Sequence, residues 1–274
     1  MTDKNVISLC PKAFLPLWRR SPVGFLIIIL SIVYVSFTIH FFGFSLTKIL
    51  GGLVNMKPIL AAMFLWQDFS TWNFSVIFTG LAQTLAMAFL GTFLATLVCI
   101  PISFLASKRI FHFAFLRFFI KRILDLIRGV DILIWAIIYV RAFGLGPLAG
   151  LMSIFTADVG TLGKLFSEAA DNADTKQIEG IESSGSNKLT VIRFGLVPQI
   201  IPIFISQSLY FFESNTRSAV ILGVVGAGGI GLQLTERMKA QYWDQSLFII
   251  ILILVMVSII DTLSRAIRKK VIDG

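Results

Sequence analysis

The chain has 274 residues and a net charge of +9, with 56% hydrophobic but only 14% charged residues. A soluble domain carries far more charge, so this composition excludes a soluble protein and indicates an integral membrane protein. The excess of Lys and Arg flanks the apolar stretches, which is typical of membrane-flanking segments and argues against nucleic-acid binding.

The apolar stretches predict an all-α membrane protein with about six transmembrane helices. Several are close to the roughly 20 residues that a helix needs to cross about 30 Å of hydrocarbon, and none alternates as a barrel strand would. In chain order the spans are predicted at about Val23 to Phe44, Phe74 to Ala106, from near Gly129, Pro147 to Phe166, Leu196 to Val225 and Gln245 to Ser264.

The distribution of Lys and Arg predicts that both termini are cytoplasmic. These residues cluster before the first span, after the second and at the end of the chain, whereas the alternate loops hold few. Residues 1–22 are then a cytoplasmic N-terminal segment. Residues 23–73 form the first span and an external segment with the interfacial aromatics Trp66 and Trp72. Residues 74–270 form the core, with a cytoplasmic loop at 170–195.

A charged apolar stretch precedes the third span. In "FFIKRILDLIR", four charged side chains interrupt Phe, Ile and Leu: Lys121, Arg122, Asp125 and Arg128. This pattern predicts a helix lying at the cytoplasmic interface.

The sequence contains no recognisable pattern of residues for catalysis or for binding a metal or nucleotide. Cys10 and Cys99 fall on opposite sides of a span, and His40 and His112 lack metal-ligand spacing. The Gly163 and Lys164 pair does not continue as a Walker A loop. The chain is therefore predicted to bind no metal or cofactor. An intramembrane enzyme or a channel is a weaker alternative, since neither converging catalytic groups nor a filter-like series is evident.

The longest polar loop contains a spaced set of residues within "EGIESSGSNKLTVIRFGLVP". Gly185 follows Glu179 by six residues, and Pro198 follows Gly185 by thirteen. This segment predicts a short helix ended by Gly185 in the left-handed conformation, with Ser186 or Asn187 capping the next helix. A plain solvated connector is the alternative.

The spacing resembles the EAA-type loop of ABC importer permeases, in which an acidic residue, a glycine and a terminal Leu-Pro frame a coupling helix. Gly180 and Ile181 stand where that pattern has Ala-Ala. The literal "EAA" at Glu168 fails the test, because Asp174 lies six residues on and Asn187 nineteen. We assign Glu168 to the cytoplasmic end of the fourth span.

Longer blocks narrow the family. The sequences "GLGPLAG", "GTLGKLFSEA", "LYFFESNTRSAVILGVVGAGGIG" and "SIIDTLSRAIRKK" are similar to the permease of a phosphonate ABC importer, of the type I, MetI-like family. The resemblance covers about Phe69 to Lys270. It implies a type I importer fold, a homodimeric permease in the bacterial inner membrane, a periplasmic phosphonate-binding protein and two cytoplasmic ATPase subunits that bind ATP and Mg. It also implies ATPase-coupling residues: Glu179, Gly180, Ile181, Gly185 and Pro198.

The resemblance leaves the substrate partly open. A phosphonate is expected, but the same architecture could import phosphite, phosphate or another small solute, because the binding protein normally chooses.

The fifth span contains the candidate residues of the substrate pathway. Arg217 suits an anionic substrate, because guanidinium matches phosphonate oxygens, although an ion pair with Glu213 is an equal alternative. The glycines of "GAGGIG" lack the strand and acidic residue of a dinucleotide site. They predict either a helix break facing the external end of the pathway or close helix packing. The full pathway set is Glu213, Asn215, Arg217, Ser218, Gly226, Gly228, Gly229 and Gly231.

Overall fold

The computed structural model describes residues 22–66, Phe69 and residues 72–273. In this part of the chain the helices are α1 (Pro22–Phe41), α2 (Leu46–Phe64), α3 (Phe74–Ala106), α4 (Ala114–Arg128), α5 (Ile132–Phe143), α6 (Pro147–Asp171), α7 (Thr175–Glu182), α8 (Lys188–Val191), α9 (Val197–Val224), α10 (Gly229–Lys239) and α11 (Trp243–Asp273), with a π-helical turn (Ile192–Leu196) before α9. The predicted all-α fold is confirmed. Almost all of the predicted N-terminal segment, including Cys10, lies outside the described residues.

The chain divides into two compact units, residues up to Ala61 and residues from Ala62 onward. In the first unit, α1 exposes apolar side chains such as Leu30 and Phe37. The turn after α1 is closed by Lys48, whose Nζ donates to the carbonyl oxygen of Gly43 at 3.3 Å. A helix that is apolar on all its exposed faces suits a lipid environment, as expected for a first span.

Four described helical stretches are long and apolar enough to cross a membrane: Val23–Phe41, Phe74–Ala106, Lys188–Val224 and Trp243–Val271. They match the first, second, fifth and sixth predicted spans. The third corresponds to α5, which has 12 residues and is therefore only about 18 Å long. The fourth corresponds to α6, whose 25 residues include Asp158 and Lys164. The count of six spans stays a prediction.

The second unit is built on α3, which packs most extensively on α6. A small residue permits this approach, since a Cβ on Gly91 would lie 2.8 Å from the Ile154 side chain. Phe166 of α6 stacks on Phe204 of α9 with ring centroids 4.0 Å apart. A separate buried cluster joins α3, α10 and α11 through Ile77, Ile230 and Ile249. In lipid the hydrophobic effect does not drive helices together, because the lipid tails are as apolar as the helix surfaces. Close packing of this kind therefore holds the helices together.

The helix α4 runs antiparallel along α6. Leu124 packs on Gly163, where a Cβ would lie 3.0 Å from the leucine Cδ2. One turn later, a Cβ on Gly160 would lie 2.8 Å from the backbone nitrogen of Arg128. The helix α4 ends at Arg128, next to Gly129, near which the third span was predicted to begin. The sequence did not predict this packing on α6, which depends on two glycines of a different helix.

The end of α3 and the middle of α4 meet the end of α6 at Asp171. Its Oδ1 accepts hydrogen bonds from Ser107 Oγ at 2.7 Å and from the backbone nitrogen of Lys108 at 2.8 Å. Its Oδ2 pairs with Lys121 Nζ at 3.1 Å, and its backbone oxygen accepts from Arg109 Nε at 2.9 Å. Burial alone would raise the pKa of Asp171, but the donors of Ser107 and Lys121 outweigh it and hold the pKa below its ordinary value.

Replacing Asp171 with Asn is expected to lower the free energy of unfolding by about 1.5–3 kcal/mol at pH 7, because the charge-assisted hydrogen bonds are lost. The contribution of a carboxylate with a lowered folded pKa is present above its unfolded pKa, near 3.9, and is lost as the pH falls through the folded pKa. The difference between wild type and variant should therefore be constant from pH 6 to 8 and shrink only below about pH 4. Denaturant unfolding in detergent measures it.

The matched control is Glu168→Gln, on the same helix, where the side chain is exposed and forms no ion pair with a described residue. That change should stay within about 0.5 kcal/mol of wild type. An unchanged midpoint for Asp171→Asn at pH 7 would contradict the proposed stabilising role of this carboxylate.

Candidate functional site

The predicted coupling helix is present as α7. It begins after Asp174, whose Oδ1 accepts a hydrogen bond from the backbone nitrogen of Lys176 at 3.0 Å. The turn that follows α7 closes at Gly185, which has φ +78° and whose nitrogen donates to the carbonyl oxygen of Glu182 at 2.9 Å. A left-handed backbone favours glycine, so the predicted left-handed conformation of Gly185 is confirmed, although α7 itself ends three residues earlier, at Glu182. Glu179 lies on α7 with its side chain exposed.

The apolar side of α7 holds it against the rest of the unit. Ile181 and Ile178 pack on Gly195 of the π-helical turn, where a Cβ would lie 3.3 Å from Ile181 Cδ1. Gln199 ties the start of α7 to α9: its Oε1 accepts from the nitrogen of Asp174 at 2.8 Å, and its Nε2 donates to the oxygen of Gly195 at 2.7 Å. The face that carries Glu179 therefore points away from these contacts.

The remaining coupling residues lie on either side of this contact. Gly180 is exposed, and a Cβ there would meet nothing within 4 Å, so alanine would fit at this position. Asn187 is the N-cap residue of α8, as predicted, although its side chain makes no capping hydrogen bond. Pro198 is exposed in the first turn of α9, where the missing N–H of proline costs little.

Glu168 occupies a different place. It is exposed near the end of α6, in agreement with its assignment to the end of that helix. It lines a cavity of about 390 Å³ with Asn172, Asp174 and Gln207, whereas Glu179 does not line this cavity.

Four charged side chains join α9 to α11. Arg217 Nη1 lies 3.1 Å from both Oδ1 and Oδ2 of Asp261, and its Nη2 lies 3.5 Å from Glu213 Oε1. The other oxygen of Glu213 accepts from Arg268 Nη2 at 2.6 Å. The predicted ion pair of Glu213 and Arg217 is thus part of a network of four charged residues. The sequence analysis missed Asp261 and Arg268, although an acidic residue inside an apolar span is a detectable signal.

Asn215 lies away from this network. Its Nδ2 donates to Thr92 Oγ1 at 2.7 Å and to Asp158 Oδ2 at 2.6 Å. All three residues are buried and come from three helices, α9, α3 and α6. Ser218 donates only to the backbone oxygen of Ser214. Two residues along a helix turn the side chain by about 200°, so the predicted pathway residues lie on two faces of α9.

Asp158 was also missed by the sequence analysis. It is 3% exposed and stands inside the predicted fourth span. The only signal for it would have been a lone carboxylate within an otherwise apolar stretch, which identifies no partner.

The glycines after α9 form a tight turn. Gly226, Gly228 and Gly229 all have positive φ. A Cβ on Gly228 would lie 2.7 Å from the nitrogen of Pro147, and one on Gly229 would lie 2.5 Å from Thr84 Oγ1. The predicted helix break is present between α9 and α10, and so is the close packing given as the alternative. Whether the break faces the pathway stays a prediction.

Replacing Gly231 with Ala is expected to destabilise the protein by about 1–3 kcal/mol, because the added methyl group would overlap the backbone carbonyl of Val220. The control is Gly180→Ala, which meets open space and should be neutral or stabilise α7 by up to about 1 kcal/mol. Melting temperatures in detergent compare the two. Equal tolerance of both changes would argue against tight packing between α9 and α10.

Within the residues that the structure describes, no three His, Cys, Asp or Glu side chains come together as metal ligands. Cys99 is buried, and His40 and His112 are exposed.

Comparison with known proteins gives consistent similarities. Residues 99–273 match the family described as "Binding-protein-dependent transport system inner membrane component". The chain is 31% identical over 247 residues, covering 90% of the chain and 86% of the relative, to HtxC of Stutzerimonas stutzeri, provisionally named a phosphite transport system permease protein. It is 44% identical over 119 residues, 43% of the chain and 98% of the relative, to PhnE2 of Escherichia coli strain K12, provisionally named a cryptic phosphonate transport system permease protein.

Among solved structures, the inward-facing MetNI methionine ABC transporter matches with a TM-score of 0.62 and 19% identity, over 75% of this chain and 99% of that one. At this identity the likeness shows the fold alone.

Proposed function

The chain belongs to the family of binding-protein-dependent transport system inner membrane components, and we propose that it carries phosphonates into the cell. It is a permease subunit of an ABC importer in the bacterial inner membrane, and the ATPase is a separate subunit. The proposed coupling to the ATPase rests on the helix α7, which is fixed on its apolar side and carries Glu179 on its exposed side.

In this proposal α7 fits a cleft on the cytoplasmic ATPase. Glu179 and Gly180 lie in the contact, Ile181 anchors the helix from behind, and Gly185 and Pro198 set the direction of the chain around it. ATP and Mg bind to the partner ATPase. When ATP brings two nucleotide-binding subunits together, the paired coupling helices move with them and tip the spans between inward-facing and outward-facing states.

The proposed substrate is a phosphonate delivered by a periplasmic binding protein. The name of the E. coli relative supports this choice, while the name of the S. stutzeri relative favours phosphite. Both are small tetrahedral oxyanions, and phosphate remains a further alternative. A second copy of this chain would complete the pathway.

Arg217 is the proposed anion contact on this pathway, and its ion pairs indicate that it binds the anion only transiently. The side chain is 46% exposed, so an anion can approach the guanidinium. In the structure, however, Asp261 and Glu213 neutralise it. An incoming oxyanion must therefore compete with Asp261, which suits transient binding along a path better than tight capture.

Reconstitution tests the proposal. The permease, its ATPase and its binding protein are placed in liposomes, and uptake is measured in separate assays with radiolabelled methylphosphonate, phosphite or phosphate outside. We expect accumulation that requires ATP. Uptake without ATP would indicate a channel, and stronger uptake of phosphite or phosphate would replace phosphonate as the substrate. No uptake of any of the three by a complex that hydrolyses ATP would refute the proposed substrate class.

A further inference from the structure

A second cavity, of about 220 Å³, lies between the loop after α3 and the coupling segment. Arg109 and His112 line it from the loop, and Glu182 and Lys188 line it from the coupling segment, over an aliphatic floor that includes Ile178. The substrate pathway proposed above uses none of these residues.

The cavity is positively charged because Arg109 and Lys188 outnumber Glu182. Arg109 Nε donates to the backbone oxygen of Asp171 at 2.9 Å, which fixes the side chain. Its two Nη atoms make no hydrogen bond to any residue in the described part of the chain. Lys188 likewise forms no ion pair with a described residue. Two cations thus face a small space with unused donors.

We propose that this cavity binds a small protonated oxyanion of phosphorus, such as inorganic phosphate or a phosphonate. The planar guanidinium of Arg109 matches two oxygens of such an anion, and Lys188 adds a point charge. The aliphatic floor reduces solvent around these contacts and strengthens them. Glu182 accepts a hydrogen bond from the P–OH group. Sulfate has no proton at neutral pH, so it cannot donate a hydrogen bond to Glu182, and its negative charge would face that of the carboxylate.

Occupancy of the cavity has a consequence for the coupling segment. The anion would connect Arg109, which is held to the end of α6, with Lys188 directly after the turn that ends α7. It would restrain the segment that carries Glu179. Oxyanion on the cytoplasmic side would therefore slow transport, and this effect does not depend on which anion is the imported substrate.

Calorimetric titration of the full chain with inorganic phosphate, in uncharged detergent, tests the site. Lys188→Gln and Arg109→Gln should each weaken binding about tenfold or more, as expected for loss of a charged hydrogen bond. Lys176→Gln is the matched control, an exposed cation on α7 outside the cavity. This control should retain wild-type affinity, and sulfate should bind more weakly than phosphate.

Two further measurements separate the sources of the ligand. In nanodiscs of phosphatidylglycerol, loss of phosphate binding relative to phosphatidylcholine would show that the head group of an anionic lipid occupies the site. Because a lipid phosphodiester has no P–OH group, this outcome would overturn the protonated oxyanion as the ligand. Unchanged phosphate affinity in Lys188→Gln, with weaker retention of the ATPase, would overturn the proposal and make the cavity a protein contact. Absence of saturable phosphate binding would also overturn it.

The titration is independent of the proposed function. Failure of methylphosphonate uptake leaves the phosphate titration intact, and failure of the titration leaves uptake intact, so the two outcomes are distinguishable.

Discussion

Glu179→Lys is expected to abolish coupled uptake while the permease still inserts and folds. Glu179 is exposed on α7 and forms no ion pair with a described residue, so its replacement breaks no contact within the chain. At a docking surface, reversal of a charge costs about 2 kcal/mol or more, which is roughly thirtyfold in affinity. Co-purification of the ATPase and ATP-dependent uptake in liposomes measure the effect.

Glu168→Lys is the matched control. It makes the same reversal on an exposed glutamate of α6, which lines the other cavity and lies outside the coupling contacts. We expect near-normal ATPase binding and uptake. Damage from Glu168→Lys with a silent Glu179→Lys would show that the literal "EAA" marks the contact and would refute the chosen register.

Arg217→Gln is expected to lower uptake and also to lower thermal stability. The change leaves Asp261 without its guanidinium partner, whereas Glu213 retains Arg268 at 2.6 Å. The stranded carboxylate is therefore Asp261, which sequence spacing did not reveal. Because the Arg217 side chain is 46% exposed, solvent reduces the penalty, and we expect a loss of about 1 kcal/mol, or roughly 2–4 °C in melting temperature.

Two double variants separate the structural role of Arg217 from its transport role. Asp261→Asn with Arg217→Gln removes the stranded charge and should restore the melting temperature. Glu213→Gln with Arg217→Gln should not, because it leaves both Asp261 and Arg268 unpaired. If the first double variant regains stability but not uptake, Arg217 acts on the anion. If it regains both, Arg217 is a structural partner only and has no substrate role.

Arg217→Lys tests whether a positive charge alone is sufficient at this position. A lysine keeps the charge for Asp261 but presents a single ammonium group instead of a planar fork. Melting temperature should be largely retained, while uptake should be only partly retained. Full uptake with lysine would indicate that charge alone is sufficient at this position.

Several features of the protein were determined by the sequence itself. The long stretch without charged residues predicted α3 with its observed ends, because such a run is a local signal for a membrane helix. Gly185 predicted a left-handed residue in the turn after α7, because this conformation is a local requirement that glycine satisfies most easily. These predictions needed no knowledge of other helices.

The tertiary structure alone decided which polar side chains meet. Arg217 reaches Asp261 across 44 residues of sequence, and Asn215 reaches Asp158 across 57. Asp171 accepts hydrogen bonds from two distant segments, the residues after α3 and the helix α4, in the same way. A helix with apolar residues on every side gives no periodic signal for its rotation, so the sequence could not specify which face of α9 meets α11 and which meets α3 and α6. That rotation is set by packing around glycines and by satisfaction of buried polar groups, and both depend on contacts between distant parts of the chain.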